Sequence, residues 1–232
     1  MKNFSLNNLV RENIKNLQAY SSARDEFKDA SLDIIFIDAN ENPYNSGLNR
    51  YPDPQQNLVK DELAKLKELN KSQILLDLIF RAFCEPKVDN VIQLPPTYGM
   101  YKVLANTNDI ELVNVNLSND FQPNLEAILE AQNSNSKLLF LCSPNNPTAN
   151  SFDAETIEKL SEFPNLIVIQ TLSKAYGLAG IRLGICYASS EIISVLNKIK
   201  PPYNVNKLTQ EVALTTLQNQ KKVDLEIKEI IT

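Results

Sequence analysis

The sequence contains no histidine and no tryptophan, and only five of its 232 residues are glycine. The missing histidine excludes catalytic triads that use histidine as the base and zinc sites that use it as a ligand, so lysine remains the natural general base. Glycine normally makes up about 7 per cent of a globular chain. Either the protein has few tight turns, or segments that form such turns are missing.

Other absences bound the class of protein. The three cysteines, Cys84, Cys142 and Cys186, have no CxxC spacing, which predicts buried, reduced thiols and neither a disulfide framework nor a metal site. No apolar run approaches the roughly 18 residues that a membrane span needs, and the N-terminus lacks the apolar core of a signal peptide. A net charge of -5 argues against nucleic acid as the main partner. We therefore expect a cytoplasmic enzyme that does not act on membranes or nucleic acids.

Short apolar stretches alternate with segments of helical periodicity. Strands are predicted at residues 34–37, 90–94, 110–115, 137–142, 166–169 and 184–188. Helices are predicted at residues 6–18, 54–69, 78–84, 98–106, 124–131, 153–161, 191–200 and 207–231, with Asp53 as the N-cap of the second. This alternation predicts an α/β fold with a mostly parallel sheet covered by helices. Loops that follow parallel strands meet at one edge of the sheet, so residues 95–101, 143–149 and 170–174 are expected to converge.

Four side chains of complementary chemistry cluster in residues 170–184 (QTLSKAYGLAGIRLG), and these are Thr171, Ser173, Lys174 and Arg182. An amine, two hydroxyls and a guanidinium can hold a phosphorylated aldehyde and form an imine with it. The neighbouring cation favours the neutral amine, and the planar guanidinium can bind two phosphate oxygens at once. A solvated lysine and arginine in a surface loop would give the same pattern, so this segment alone does not decide the function.

Three further motifs support the chemical interpretation. Residues 143–148 (SPNNPT) follow a predicted strand and contain Asn146, and residues 95–101 (PPTYGMY) follow another and contain Tyr98. A flat tyrosine ring in such a loop is suited to offset stacking on an aromatic ligand. Residues 49–54 (NRYPDP) contain Tyr51. Taken singly, the first motif is equally compatible with a turn that has no chemistry, and Tyr98 with ordinary half-buried packing.

Together with residues 40–44 (NENPY) and 202–205 (PYNV), these motifs occur in a single order along the whole chain. In that order they resemble the histidinol-phosphate aminotransferases, a branch of the fold-type I enzymes that use pyridoxal 5'-phosphate. The resemblance implies a homodimeric transferase of histidine biosynthesis that moves an amino group from histidinol phosphate to 2-oxoglutarate. It also implies an N-terminal arm at residues 1–35, a cofactor-binding large domain at 36–200, and the start of a small C-terminal domain at 201–232.

The resemblance assigns a role to each candidate residue. Lys174 would carry the cofactor as a Schiff base and act as the catalytic base. The cofactor phosphate would be bound by Thr171, Ser173 and Arg182, and the ring would be oriented by Asn146 and Tyr98. Tyr51 would reach across the dimer interface to the cofactor phosphate of the partner subunit.

The sequence also departs from the family pattern. Residues 74–80 (ILLDLIF) lack the family's glycine-rich phosphate turn, and Ala149 replaces the glycine that ends the loop at 143–149. Between Asn146 and Lys174 the family has an extra strand, whose aspartate pairs with the pyridinium nitrogen; neither Asp153 nor Gln170 is a substitute. The small domain is incomplete, and the arginine that the family uses on its substrate lies in the part that is missing.

Two explanations of these departures stay open. Either the sequence omits segments that the protein has, or the protein truly lacks them and is catalytically silent, serving as a binding module. An intact mass above 26.1 kDa would favour the first and a mass equal to it the second. Within the same fold, a threonine-phosphate decarboxylase or an aromatic aminotransferase is an alternative, because these enzymes share the cofactor chemistry of the lysine segment.

Overall fold

The computed structural model describes residues 5–17, 51–67 and 76–231. These residues form two compact units: the first contains residues 5–17, 76–167 and 194–196, and the second contains residues 51–67, 168–193 and 197–231. The predicted strand at 34–37 and the motif at 40–44 lie outside the described residues. Among the described residues, no helix is both long and apolar enough to cross a bilayer.

A parallel sheet organises the first unit. Strands β1 (Asn90–Gln93), β2 (Glu111–Asn114) and β3 (Ser136–Phe140) lie in the order β2-β1-β3, and both pairings are parallel. All four residues of the central strand β1 are buried, because helical side chains cover both faces of the strand: Val91 packs with Phe80 and Tyr101, and Ile92 packs with Ile128. The parallel arrangement predicted from the alternation of strands and helices is confirmed here.

The same unit contains helices α1 (Glu12–Lys15), α3 (Leu76–Phe83), α4 (Met100–Thr107), α5 (Leu125–Ala131) and α6 (Ala154–Ser161), whereas helix α2 (Asn57–Lys67) belongs to the second. The core of the first unit is aromatic. Phe140 stacks on Phe80 with ring centroids 5.2 Å apart and on Tyr101 at 4.5 Å. Burial raises the pKa of Tyr101 far above its usual value, because the phenolate would lose its hydration.

The second unit contains an antiparallel pair, β4 (Val168–Thr171) and β5 (Gly184–Tyr187). The connection between them holds only a short 3-10 helix, Ala179–Ile181, and a parallel crossover usually needs a full helix, so the strands run in opposite directions. Four helices complete the unit, although residues 194–196 of the helix Ser190–Ile199 belong to the first unit. They are α2 (Asn57–Lys67), α7 (Ser190–Ile199), α8 (Lys207–Gln218) and α9 (Gln220–Ile231).

Three helix predictions were wrong in detail. Residues 6–18 do not form one helix, because Arg11 is extended between the 3-10 helix Leu6–Asn8 and α1. Its guanidinium contacts Glu85 at 2.9 Å. The helix after Asp53 begins only at Asn57, although the Asp53 carboxylate still accepts from the backbone N–H of Gln55 and Asn57.

The helix predicted over 207–231 is interrupted at Asn219. The Asn219 side-chain amide donates to the backbone carbonyl of Thr215 at 2.7 Å, which is the kind of local side-chain bond that competes with helical hydrogen bonds. The residues on either side retain the predicted helical conformation, now as α8 and α9.

The thiols are free, as predicted, but not all are buried. Cys84 and Cys186 are buried and Cys142 is half-buried. Burial raises the pKa of Cys84 and of Cys186 to about 12, because a thiolate is poorly stabilised in the core. These two thiols therefore behave as small apolar side chains, which leaves them no role as nucleophiles.

Candidate functional site

Two of the predicted motif loops meet at the edge of the parallel sheet. Residues 94–99 follow β1, and residues 141–149 follow its neighbour β3. The side-chain amide of Asn145 donates to the backbone carbonyl of Pro96 at 2.8 Å, and the Thr97 hydroxyl donates to the Asn145 amide oxygen at 3.3 Å. The predicted convergence of these two loops is confirmed. The third loop, at 170–174, lies in the second unit, and its approach to the others stays a prediction.

Asn145 is the anchor of this edge. Its side chain is 4% exposed, and its amide donates to the Thr148 hydroxyl at 2.8 Å as well as to Pro96. Its backbone N–H donates to the carbonyl of Asn150 at 2.7 Å. A buried amide with this many partners fixes the turn, because any other placement would leave polar groups unsatisfied.

The two side chains singled out from the sequence lie on this anchored edge. Asn146 is exposed next to the buried Asn145. Tyr98 is 38% exposed, and its ring meets the buried ring of Tyr101 edge-on at 5.6 Å between centroids. Both side chains are therefore accessible while their backbone is held. Sequence reasoning missed Asn145, because nothing in the pair Asn145-Asn146 shows which amide is buried.

Ala149 occupies the position at which the family has glycine, and its backbone takes φ +63°. This left-handed conformation costs a residue with a Cβ about 1–2 kcal/mol, whereas glycine adopts it freely. We expect Ala149→Gly to stabilise the protein by about 0.5–1 kcal/mol, after the greater flexibility of glycine in the unfolded chain is deducted. Urea denaturation measures the change. The matched control, Ala127→Gly inside helix α5, should instead destabilise by about 1 kcal/mol; a loss of stability at both positions would contradict the prediction.

In the second unit, the connection from β4 to β5 presents Lys174. Leu172 is fully buried and Tyr176 is 9% exposed, whereas Thr171 and Lys174 are exposed. The buried side chains of Leu172 and Tyr176 thus fix the turn on its core side, and Lys174 projects from the opposite side. The Gly177 N–H donates to the Lys174 carbonyl at 2.9 Å and closes the turn.

The hydroxyls beside Lys174 are arranged by the same turn. The backbone N–H of Ser173 donates to the Thr171 hydroxyl oxygen at 3.0 Å. A hydroxyl that accepts in this way keeps its own proton, which can be donated to an anion. Ser173 itself is half-buried. Thr171, Ser173 and Lys174 are therefore gathered in one turn, as the sequence predicts.

Arg182 closes the short 3-10 helix in the same connection. Its backbone is left-handed at φ +56°, and its exposed guanidinium donates to the Ala179 carbonyl at 3.1 Å. Tyr51 also belongs to this unit; its ring stacks on Tyr203 at 4.6 Å between centroids with 26° between the planes, and it is 49% exposed. Five of the seven predicted site residues therefore lie in the second unit, and Tyr98 and Asn146 lie in the first.

Comparison with known proteins gives a family for this arrangement. The model of the family "Aminotransferase class I and II" matches residues 26–165 and 160–232. The chain belongs to this family. The histidinol-phosphate aminotransferase of Flavobacterium psychrophilum is 54% identical over all of this chain and 77% of its own length, and that of Flavobacterium johnsoniae is 55% identical over all of this chain and 76% of its own length.

The fold agrees with that of solved members of the family. The crystal structure of histidinol-phosphate aminotransferase from Sinorhizobium meliloti in complex with pyridoxal-5'-phosphate superposes with a TM-score of 0.68 at 21% identity. That match covers 80% of this chain and 61% of the other. The motifs predict the fold-type I architecture and membership of a pyridoxal-phosphate-dependent aminotransferase family, and both predictions are confirmed. The family takes amino acids as substrates.

The comparisons also indicate that relatives have residues to which none in this chain corresponds. The alignment with the Flavobacterium psychrophilum enzyme runs over 266 positions, of which the 232 residues of this chain fill all but 34. The family model matches in two stretches that overlap at residues 160–165. That overlap lies between Asn146 and Lys174, in the interval where the sequence motifs indicate a missing strand.

The residues present fit one end of pyridoxal phosphate. An exposed lysine, two hydroxyls in the same turn and an exposed arginine on the same connection match an aldehyde and a phosphate. The ring nitrogen is a different case, because the resemblance assigns it an aspartate between Asn146 and Lys174, and no residue of this sequence in that interval matches it. The donor set therefore suits the phosphate and the aldehyde, and it leaves the pyridine nitrogen without its family partner.

Proposed function

We propose that the chain is a histidinol-phosphate aminotransferase, with histidinol phosphate as amino donor and 2-oxoglutarate as acceptor in histidine biosynthesis. The observation that carries the proposal is the exposed Lys174 on an anchored turn with Thr171 and Ser173, in a chain that is 54% identical to a histidinol-phosphate aminotransferase. The absence of histidine from the sequence supports lysine as the proton carrier.

In this proposal Lys174 has two tasks. Its amine would hold the aldehyde group of the cofactor, and once released it would take up and return the proton of the substrate Cα. The cofactor, when bound, supplies the electron sink that makes this proton acidic. The exposure of the Lys174 side chain supports both tasks, because it must reach the cofactor first and the substrate carbon afterwards.

The remaining candidate residues bind and orient. Thr171, Ser173 and Arg182 hold the phosphate, for which hydroxyl and guanidinium donors are suited. Asn146 donates to the ring's phenolate oxygen, and Tyr98 stacks on the ring. The anchoring of the Asn146 loop by the buried Asn145 supports this role, since a donor fixed before binding loses little entropy when it binds.

The proposal extends to assembly and location. Tyr51 acts on the cofactor phosphate of the partner subunit, which requires a homodimer, and the enzyme is cytoplasmic. The half-exposed Tyr51 ring supports the first point, because a side chain that serves another subunit must project from its own. The proposed domains are an N-terminal arm at residues 1–35, a cofactor-binding domain at 36–200 and the start of a small domain at 201–232.

A second candidate is a catalytically silent chain, which is favoured by the short interval between Asn146 and Lys174, where the resemblance places the pyridinium aspartate. Without the aspartate, the ring nitrogen would lose the ion pair that makes the ring a good electron sink. The silent chain predicts no turnover of any donor. The intact mass, above or equal to 26.1 kDa, shows which form of the protein an assay has tested.

The choice of donor is tested by a comparison of substrates. We expect transamination of 2-oxoglutarate with histidinol phosphate to exceed that with phenylalanine or tyrosine by at least about tenfold in kcat/KM, and threonine phosphate to give no decarboxylation. Glutamate formation and carbon dioxide release are the measurements. A preference for the aromatic amino acids, or carbon dioxide from threonine phosphate, would replace the proposed donor by one of the alternatives within the fold.

A further inference from the structure

The first turn of helix α8 holds two separate segments of the second unit. Asn206 caps the helix by accepting from the Thr209 N–H at 2.9 Å. The Thr209 hydroxyl then donates to the carbonyl of Ile181 at 3.2 Å, and the neighbouring Gln210 amide donates to the carbonyl of Asp53 at 3.1 Å. We propose that this turn is a positioning clamp for the phosphate ligands Arg182 and Tyr51. The proposal rests on the function proposed above.

The hydrogen bond from the Thr209 hydroxyl fixes the peptide group next to Arg182. The Ile181 carbonyl belongs to the peptide group that joins Ile181 to Arg182, so a hydrogen bond to it fixes the plane from which Arg182 projects. That plane needs support, because Arg182 has the left-handed backbone that glycine tolerates best. Thr209 is 7% exposed, and its bond is therefore shielded from competition with water.

The segment that carries Tyr51 is held by the clamp and also by Lys200, which precedes helix α8 in the chain. The ammonium of Lys200, which is 9% exposed, donates to the Pro54 carbonyl at 3.0 Å. A buried ammonium is costly unless it is hydrogen-bonded, so this contact strongly constrains the segment. Gln210 fixes the preceding carbonyl, that of Asp53, and the Tyr51 ring rests on Tyr203. All of these holding groups come from residues 200–210.

The clamp is distinct from the packing beneath it. The core of this unit includes Leu172, Leu183 and Leu217, which need no hydrogen bonds to pack. Farther along the same helix, the Thr216 hydroxyl donates to the carbonyl of Val212 in its own helix at 3.0 Å. Thr209 instead reaches outside its helix. In the proposed dimer Arg182 serves its own cofactor and Tyr51 that of the partner subunit, so one helical turn positions residues of two sites.

The test compares Thr209→Val and Gln210→Met with the matched control Thr216→Val in the full chain. We expect the first two variants to bind pyridoxal phosphate up to about tenfold more weakly than the control, because Thr209→Val loses the bond to the Ile181 carbonyl and Gln210→Met loses the bonds to the carbonyls of Asp53 and Val205. Their affinity for pyridoxal, which has no phosphate, should stay within about twofold of the control. Absorbance titration measures both. Equal weakening for the two ligands, or none, would overturn the clamp, since a general loosening of the unit does not single out phosphate.

Hydrogen exchange without any cofactor separates this proposal from the proposed function. Thr209→Val should speed exchange of the backbone N–H groups of residues 181–183, and Gln210→Met that of residues 53 and 55–57, while Thr216→Val changes neither. If the unaltered chain binds neither ligand, the proposed function fails, and the exchange pattern alone decides the clamp. Unchanged exchange at both segments overturns it, and the two localised increases support it.

Discussion

Replacement of Lys174 by alanine is expected to abolish both the absorbance band of the lysine-bound cofactor and transamination, with kcat falling by at least about 10³-fold. The physical reason is that Lys174 has the only primary amine in this connection and is exposed: Thr171 and Ser173 carry hydroxyls, and Arg182 carries a guanidinium, which does not form the imine. Absorbance titration with pyridoxal phosphate and an assay of glutamate formation provide the two measurements.

Two further variants sharpen this test. Lys174→Arg keeps the positive charge but cannot form the imine, so it should lose the band and the activity as completely as alanine does. Lys221→Ala removes an exposed lysine of the same unit and should change neither measurement. If Lys174→Arg kept the band, or Lys174→Ala kept its turnover, Lys174 would not be the proposed catalytic residue.

The sequence predicts those parts of the fold that depend on local pattern. Strands β1 to β5 are each predicted to within two residues, because short apolar runs that are bounded by turn residues and alternate with helical segments are typical of strands. The predicted ends of helices are less accurate where a side chain near the end contacts a residue outside its own turn. The Arg11 guanidinium contacts Glu85, and the Asn219 side-chain amide donates to the carbonyl of Thr215, and neither contact is visible as a periodicity.

The same distinction applies to the candidate site. Residues with reactive chemistry, such as Lys174 and Arg182, could be predicted from their type and order. The groups that hold them could not, because Asn145, Lys200 and Thr209 are ordinary polar residues whose importance comes from burial and from partners distant in the chain. Sequence spacing says little about contacts between residues that are 28 or 146 positions apart. Tertiary structure was needed to find them.

The largest expected effect on stability belongs to Phe80→Ala. Phe80 is fully buried, and its ring stacks on Phe140, the last residue of β3. Loss of a buried phenylalanine side chain costs about 3–5 kcal/mol, since the apolar contacts are lost and a cavity stays behind. A domain is typically stable by only about 5–15 kcal/mol, so this single change removes a large share. Urea denaturation should show a midpoint lowered by about 1–3 M.

The effect should also reach the candidate site through the aromatic stack. The ring of Phe140 stacks on that of Tyr101 with the centroids 4.5 Å apart. The ring of Tyr101 in turn contacts that of Tyr98 edge-on, at 5.6 Å between centroids. Phe80→Leu, which keeps most of the volume, should recover more than half of the lost stability, whereas Phe163→Ala, at a side chain that is 58% exposed, should change it by less than about 0.5 kcal/mol. Equal destabilisation by Phe80→Ala and Phe163→Ala would mean that the stack does not organise the first unit. It would also remove the structural basis for a rigid Tyr98.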